Sequence, residues 1–210
     1  MRALILVDIQ NDFLPGGALA VPHGDEVISV ANNLAAKKGQ LFDLVVATQD
    51  WHPTNHGSFA SNNAGKKIGE MGELNGLAQV MWPNHCVQNT KGAEFASQLN
   101  VKSVDHVVRK GTDTGIDSYS GFFDNGHKKS TGLGDYLKSK GVKDVVVLGL
   151  ATDYCVKFTA LDAKQLGFNT TLVTDGSRAV NLSPDDEKKA IEEMRHAGIK
   201  IVKSADLLKG

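Results

Sequence analysis

The stretch Asp144-Val-Val-Val-Leu-Gly-Leu-Ala-Thr-Asp-Tyr-Cys-Val156 changes its periodicity half-way along. Asp144 to Leu148 is apolar, β-branched and closed by Gly149, the composition of a strand buried on both faces of a parallel sheet. From Asp153 to Leu166 the residues Tyr154, Phe158 and Leu161 recur at helical spacing, with Thr152 as the expected N-cap and Gly167 as the stop. Cys155 is therefore expected in the first turn of a helix that follows a buried strand. Unpaired N–H groups and the positive end of the helix dipole favour a thiolate there and can hold an oxyanion, which makes Cys155 a candidate nucleophile. The alternative is a small hydrophobe packed between helix and sheet.

Outward from this stretch, strands and helices alternate. Strands are expected at Ala3 to Val7, Leu44 to Thr48, His106 to Arg109, Thr170 to Thr174 and Ile199 to Lys203. Helices are expected at Asp25 to Lys38, where an apolar stripe ends at Gly39, at Gly92 to Leu99, and around Leu133 to Lys140. A last helix should open at Ser183-Pro184-Asp185-Asp186, with Ser183 as cap and Pro184 at the first helical position. Asp50 to Thr90 and Gly111 to Thr131 are polar, Gly-rich connections, and loops that long inside a compact domain usually carry function. The pattern predicts an α/β fold with a mostly parallel sheet of roughly six strands, covered by helices on both faces as a three-layer α/β/α sandwich.

Composition narrows the function. The 210 residues, 41% hydrophobic, suffice for one cored domain spanning residues 1–210. A formal charge of −1 with scattered basic residues argues against nucleic acid or an anionic membrane as the main partner, and favours a small molecule. Cys86 and Cys155 make no disulfide framework, and Ala3 to Val7 is too short for a signal peptide or membrane span, so the expected location is the cytoplasm. A homo-oligomer is compatible with this composition.

Ligands of parallel α/β sheets bind beyond the carboxyl ends of the strands. The residues leaving those ends are Asp8, then Asp50 and His52, then Lys110, and finally Cys155. Asp8, Lys110 and Cys155 combine a base, a cation and a thiol, which together could activate the sulfur. A loop-capping carboxylate and a snorkelling lysine are the alternatives for the first two. Asp50, His52 and His85 combine one hard oxygen with two imidazoles, a donor set for a divalent metal ion, and Asp-x-His on an extended segment turns both side chains to one side. His56 or Ser58 could add a further ligand. Cys86 reads as a packed thiol.

With these residues in hand, the chain resembles the nicotinamidase/pyrazinamidase branch of the isochorismatase-like cysteine hydrolases. The resemblance rests on Val7-Asp8-Ile9-Gln10-Asn11-Asp12-Phe13, Thr48-Gln49-Asp50-Trp51-His52-Pro53, Trp82-Pro83-Asn84-His85-Cys86-Val87, Arg109-Lys110-Gly111, Asp117-Ser118-Tyr119-Ser120 and Gly149-Leu150-Ala151-Thr152-Asp153-Tyr154-Cys155-Val156. It implies hydrolysis of nicotinamide to nicotinate and ammonia in NAD salvage, through a cysteine thioester, with pyrazinamide also accepted. By the same likeness Asp8 is the base, Lys110 its partner and Cys155 the nucleophile. The metal ligands are Asp50, His52 and His85, holding one zinc ion, with iron or manganese as alternatives. Phe13, Leu19, Trp82 and Tyr119 line the ring pocket. A cis peptide is implied between Leu150 and Ala151, directing the Ala151 and Cys155 amides at an oxyanion. Two other readings are an amidase of the same fold acting on carbamoyl or ureido substrates, and a non-catalytic pyridine-binding module.

Overall fold

The computed structural model describes residues 1–209. Its main sheet contains β1 (Arg2–Val7), β2 (Leu44–Asp50), β5 (His106–Lys110), β6 (Asp144–Leu150), β7 (Asn169–Arg178) and β8 (Lys200–Val202), and a separate hairpin contains β3 (Met71–Leu74) and β4 (Leu77–Val80). The main sheet has the order β5-β2-β1-β6-β7-β8, and every adjacent pair is parallel. Alternation along each strand separates two cores. Leu4, Leu6, Val45, Ala47, Val146 and Leu148 face one side, where they pack with Val27, Ala31 and Leu34 of helix α1 (Glu26–Ala35). Ala3, Ile5, Val46, Val145 and Val147 face the other side. There they meet α2 (Leu133–Ser139), α3 (Lys157–Gln165) and α4 (Asp186–His196) through Leu137, Ala160 and Met194. A short α5 (Ser204–Leu208) closes the chain on the α1 side through Leu207. The three-layer expectation holds, and among the described residues no helix is long and apolar enough to cross a membrane.

Several local expectations are corrected. Thr152 is not an N-cap, because the turn after β6 is a π-turn over Thr152–Val156 in which the Val156 N–H donates to Ala151 O at 3.0 Å. The Thr152 hydroxyl instead lies 3.4 Å from Glu187. The stripe Tyr154, Phe158 and Leu161 is not the buried face of α3; that face is Thr159, Ala160 and Ala163, whose small side chains let the helix approach the sheet closely. Gly92 to Leu99 is no helix beyond one 3₁₀ turn at Lys91–Ala93, because tertiary hydrogen bonds take over its backbone: Ala96 N–H donates to Ile9 O, and Ala93 O accepts from the amides of Gln10 and Gln49. The last long helix begins at Asp186, whose carboxylate turns back to accept the Ser183 N–H at 2.8 Å. The hairpin was readable from Asn75-Gly76, a pair suited to the left-handed conformations both residues adopt (φ 51° and 81°).

β1 and β6 lie side by side where the strand order reverses, and they run unusually close at Gly149. Its φ is 127°, and a Cβ there would stand 2.1 Å from the Val7 carbonyl oxygen. No other residue fits the junction that carries the chain from β6 to Cys155.

Candidate active site

Asp8 directly follows β1 with a left-handed backbone (φ 48°), a conformation that aspartate tolerates better than most residues. Its buried carboxylate lies beneath the sheet edge. Oδ1 accepts the Thr48 hydroxyl at 2.6 Å, and Oδ2 is 2.8 Å from Lys110 Nζ. That ion-pair contact is off the hydrogen-bond direction, so Oδ2 has no hydrogen-bond partner. Lys110 ends β5 and is wholly buried; its ammonium donates to Asp50 Oδ1 at 2.5 Å and to Ser118 O at 2.9 Å, and lies 3.3 Å from Cys155 Sγ. Carboxylate oxygens of Asp8 and Asp50 and the Cys155 sulfur all lie within 4.8 Å of one another. The three residues expected to act together do converge.

Burial and the buried charges compete over the protonation of this group. Burial works against the Lys110 charge, but Asp50 and then Asp8 outweigh it and hold the ammonium well above its usual range. Burial raises Asp8, with Lys110 offsetting part of the rise. For Asp50 burial is overcome by Lys110 and His52, and the carboxyl stays well below its usual range. Burial also pushes the Cys155 thiol well up; Lys110 pulls it down, while Asp8 and Asp50 push it further up. The helix start alone argues for a thiolate, whereas burial and the two carboxylates favour the thiol in the resting protein.

The second cluster is built from the end of β2 and two loops. Asp50 Oδ2 lies 3.5 Å from His52 Nε2 and 3.8 Å from His85 Nε2. His52 Nδ1 is 2.8 Å from Gly111 O and His85 Nδ1 is 2.7 Å from Pro83 O. A carbonyl only accepts, so in the neutral rings both Nδ1 atoms carry the proton and both Nε2 lone pairs face Asp50. His85 is held neutral, its pKa lowered to about 4 by burial and then by His52. His52 Nε2 is buried without a partner. The orphaned His52 Nε2 and the His85 Nε2 face one carboxylate, each ring fixed from behind by a carbonyl, and together they fit a divalent metal ion. His56 packs against His52 at 4.3 Å between ring centroids and forms a second donor group with His52 and Asp117; its Nδ1 accepts the Ser58 N–H at 3.2 Å with the Ser58 hydroxyl 2.7 Å away, while its Nε2 is buried without a hydrogen-bond partner.

Gly111 is the position that this arrangement constrains most. With φ 64°, it faces the His52 ring, and a Cβ would stand 2.3 Å from His52 Cε1. Gly111→Ala should push the ring out of line and weaken metal binding about 10–100-fold, measured by competition against a chelator with circular dichroism as the control for folding. Unchanged affinity in a folded variant would show that His52 is not a ligand.

Between the clusters lies one small, mostly apolar cleft. The expected residues Phe13, Leu19, Trp82 and Tyr119 line it, together with Ala151, Cys155, Asp50 and His85. The Leu150–Ala151 peptide is cis. Three lining residues were not anticipated: Asp117, Tyr154 and Val180. Tyr154 meets Trp82 edge-on at 4.9 Å; its place in the helically spaced stripe gave no sign of a pocket role, though it lies in the same motif as Cys155. Two supports were also missed. Gln10 brackets Asp50, donating to Asp50 O and accepting from Asp50 N–H at 2.8 Å each, and Thr48 holds Asp8. Both lie in the quoted motifs that follow or end β1 and β2, the one local signal that could have flagged them. Cys86 is buried in the α1-side core and its thiol is pushed well up by burial, so it is a packed thiol, although its backbone is left-handed (φ 47°) and not extended.

A buried thiol, carboxylate and ammonium at the carboxyl edge of a parallel sheet, beside an Asp-His-His cluster, define a cysteine hydrolase of the isochorismatase-like α/β type. The model of the isochorismatase domain matches residues 2–206. The chain is 50% identical over 205 residues to the nicotinamidase of Escherichia coli, covering 98% of this chain and 96% of that one. Among solved structures, the nicotinamidase-pyrazinamidase of Acinetobacter baumanii superposes with a TM-score of 0.94 at 45% identity, over 98% of this chain and 97% of that one. The pyrazinamidase of Pyrococcus horikoshii in complex with zinc gives 0.79 at 42% identity, over 96% and 98%. The chain belongs to the isochorismatase family, in its nicotinamidase branch.

Proposed function

We propose that this protein hydrolyses nicotinamide to nicotinate and ammonia, a step of NAD salvage, and that it also accepts pyrazinamide. The observation that carries the reading is the buried Asp8 carboxylate within 4.8 Å of the Cys155 sulfur, with Lys110 touching both residues. Asp8 Oδ2 takes the thiol proton as Sγ bonds to the amide carbon, and the Ala151 and Cys155 N–H groups receive the oxyanion. The C–N bond then breaks, Asp8 returns the proton to the amide nitrogen, and ammonia leaves a thioester on Cys155. Water attacks the thioester, giving a proton to Asp8; the C–S bond breaks, nicotinate departs and the thiol is restored. Lys110 stays charged throughout and keeps Asp8 and the sulfur together. Phe13, Leu19, Trp82 and Tyr119 sandwich the ring. Asp50, His52 and His85 would hold a divalent ion, zinc in the first instance with iron or manganese compatible with the same donors, and that ion would supply a Lewis-acid contact for the pyridine nitrogen. The relatives' names and the zinc-complexed neighbour support this reading.

Ammonia release from a small panel of aromatic amides, with metal content measured on the same sample, tests it directly; no release from nicotinamide by metal-loaded protein would refute it. Asp8→Asn keeps the shape and removes the base, so kcat/KM for nicotinamide should fall roughly 10²–10⁴-fold while substrate still binds. Because burial raises Asp8 above its ordinary 3.8, the acid limb of kcat/KM in the unmodified protein should lie above that pH, activity falling as Asp8 becomes protonated. An Asp8→Asn variant of near-normal rate would contradict the proton-transfer role.

A further inference from the structure

We propose that Gln79, on β4 and outside every quoted motif, is a positioning residue that sets the substrate pocket through the Tyr119 hydroxyl; the role rests on the nicotinamidase reading above. Gln79 is 2% exposed although its hairpin stands outside the main sheet. Its Nε2 lies 2.9 Å from Val80 O, 3.0 Å from Tyr119 Oη and 3.3 Å from Asp117 Oδ2. A carboxamide has only two N–H protons, and the two shorter contacts take them. Trp82 Nε1–H donates to the same Tyr119 Oη at 3.1 Å.

The phenol oxygen thus accepts from two N–H donors and has no lone pair left, so its own proton can only donate. Two bonds from opposite neighbours hold the hydroxyl, while the ring stacks on Phe158 at 5.5 Å and meets Tyr154 edge-on at 5.4 Å. The Tyr119 wall of the cleft is therefore fixed at its tip by Gln79 and Trp82 and along its side by aromatic contacts. The backbone just before it supplies Ser118 O to Lys110. The hairpin bearing Gln79 is keyed at its far end, where Asn75 Nδ2 donates to Gly115 O at 2.5 Å. Leu74 fills the space before Gly57, where a Cβ would come within 2.4 Å of Leu74 Cδ1. A peripheral hairpin thus reaches the Tyr119 wall of the cleft through one side chain.

Removing the Gln79 N–H donor frees the Tyr119 hydroxyl to turn and loosens the wall, without touching Cys155, Asp8 or Lys110. The test is a double-mutant cycle of Gln79→Met, Tyr119→Phe and the pair, read as kcat and KM for nicotinamide, with Gln79→Ala as a second replacement. Thermal denaturation and the rate of Cys155 alkylation by iodoacetamide are followed in every variant. Gln79→Met should raise KM about tenfold, the loss of one buried hydrogen bond, with kcat and alkylation near native. In the Tyr119→Phe background, which lacks the hydroxyl, it should add no further effect. An unchanged KM in both Gln79 variants, an equal tenfold effect in the Tyr119→Phe background, or a loss of kcat and alkylation in step with thermal stability would overturn the proposal. Failure of the unmodified protein to turn over nicotinamide would instead sink the nicotinamidase reading, so the two failures are distinct.

Discussion

Cys155→Ala is expected to abolish nicotinamide turnover, by at least about 10⁴-fold in kcat, since removing the nucleophile of a unit that acts together removes nearly all of its contribution. The variant should stay folded. Cys155 is buried in the core under α3, and losing one sulfur from such a site costs about 1 kcal/mol, a small share of a domain's stability. Cys86→Ala is the matched control: that thiol is also buried and pushed up, but it packs in the core on the other side of the sheet, so turnover should persist. What separates the two is the company of the sulfur. Cys155 has Lys110 at 3.3 Å and an Asp8 carboxylate oxygen within 4.8 Å. Steady-state ammonia release, with circular dichroism on each variant, checks this. Equal loss in both variants, both folded, would mean that reactivity has been assigned on the wrong basis.

Removal of the metal should collapse ring selectivity. In the metal-loaded protein nicotinamide and pyrazinamide, which share a ring nitrogen at the same place, should be turned over, and benzamide should be poorer by about 10⁴ in kcat/KM. A site built for a polar ring atom rejects an isostere lacking it by that order. Chelator-stripped protein and His52→Ala should lose most of that preference. Alkylation of Cys155 should continue in the stripped protein, because the thiol's proton acceptor, Asp8, is not one of the three ligands. The measurements are kcat/KM for the three amides across the loaded, stripped and His52→Ala forms, with metal content determined for each. Full selectivity in the stripped form would rule out ring-nitrogen coordination. Benzamide turned over as well as nicotinamide would favour a broader amidase of the same fold.

Strand ends and loop motifs are local properties, and they were legible. β-branched runs, glycine stops and the residues that follow them were sufficient for the parallel sheet, for Asp8, Asp50, His52, Lys110 and Cys155 at one edge, and, with the resemblance, for the pocket residues. Helix starts were less legible, because a backbone N–H can be satisfied from anywhere in space. Asp186 reaching back to Ser183, and Ile9 bonding Ala96, displaced two expected helices by contacts that no local pattern contains. The buried face of α3 also escaped the pattern: large residues marked the helical stripe, yet close approach to the sheet selected Thr159, Ala160 and Ala163. Charge states were not legible at all. The start of a helix argued for a thiolate at Cys155, but protonation depends on desolvation and on carboxylates delivered by β1 and β2, and these raise the thiol. The sequence by itself determined which reactive groups leave which strands. Tertiary structure alone decided which of their atoms are left without partners, Asp8 Oδ2 and His52 Nε2 among them, because an unmet lone pair is a property of everything packed around it.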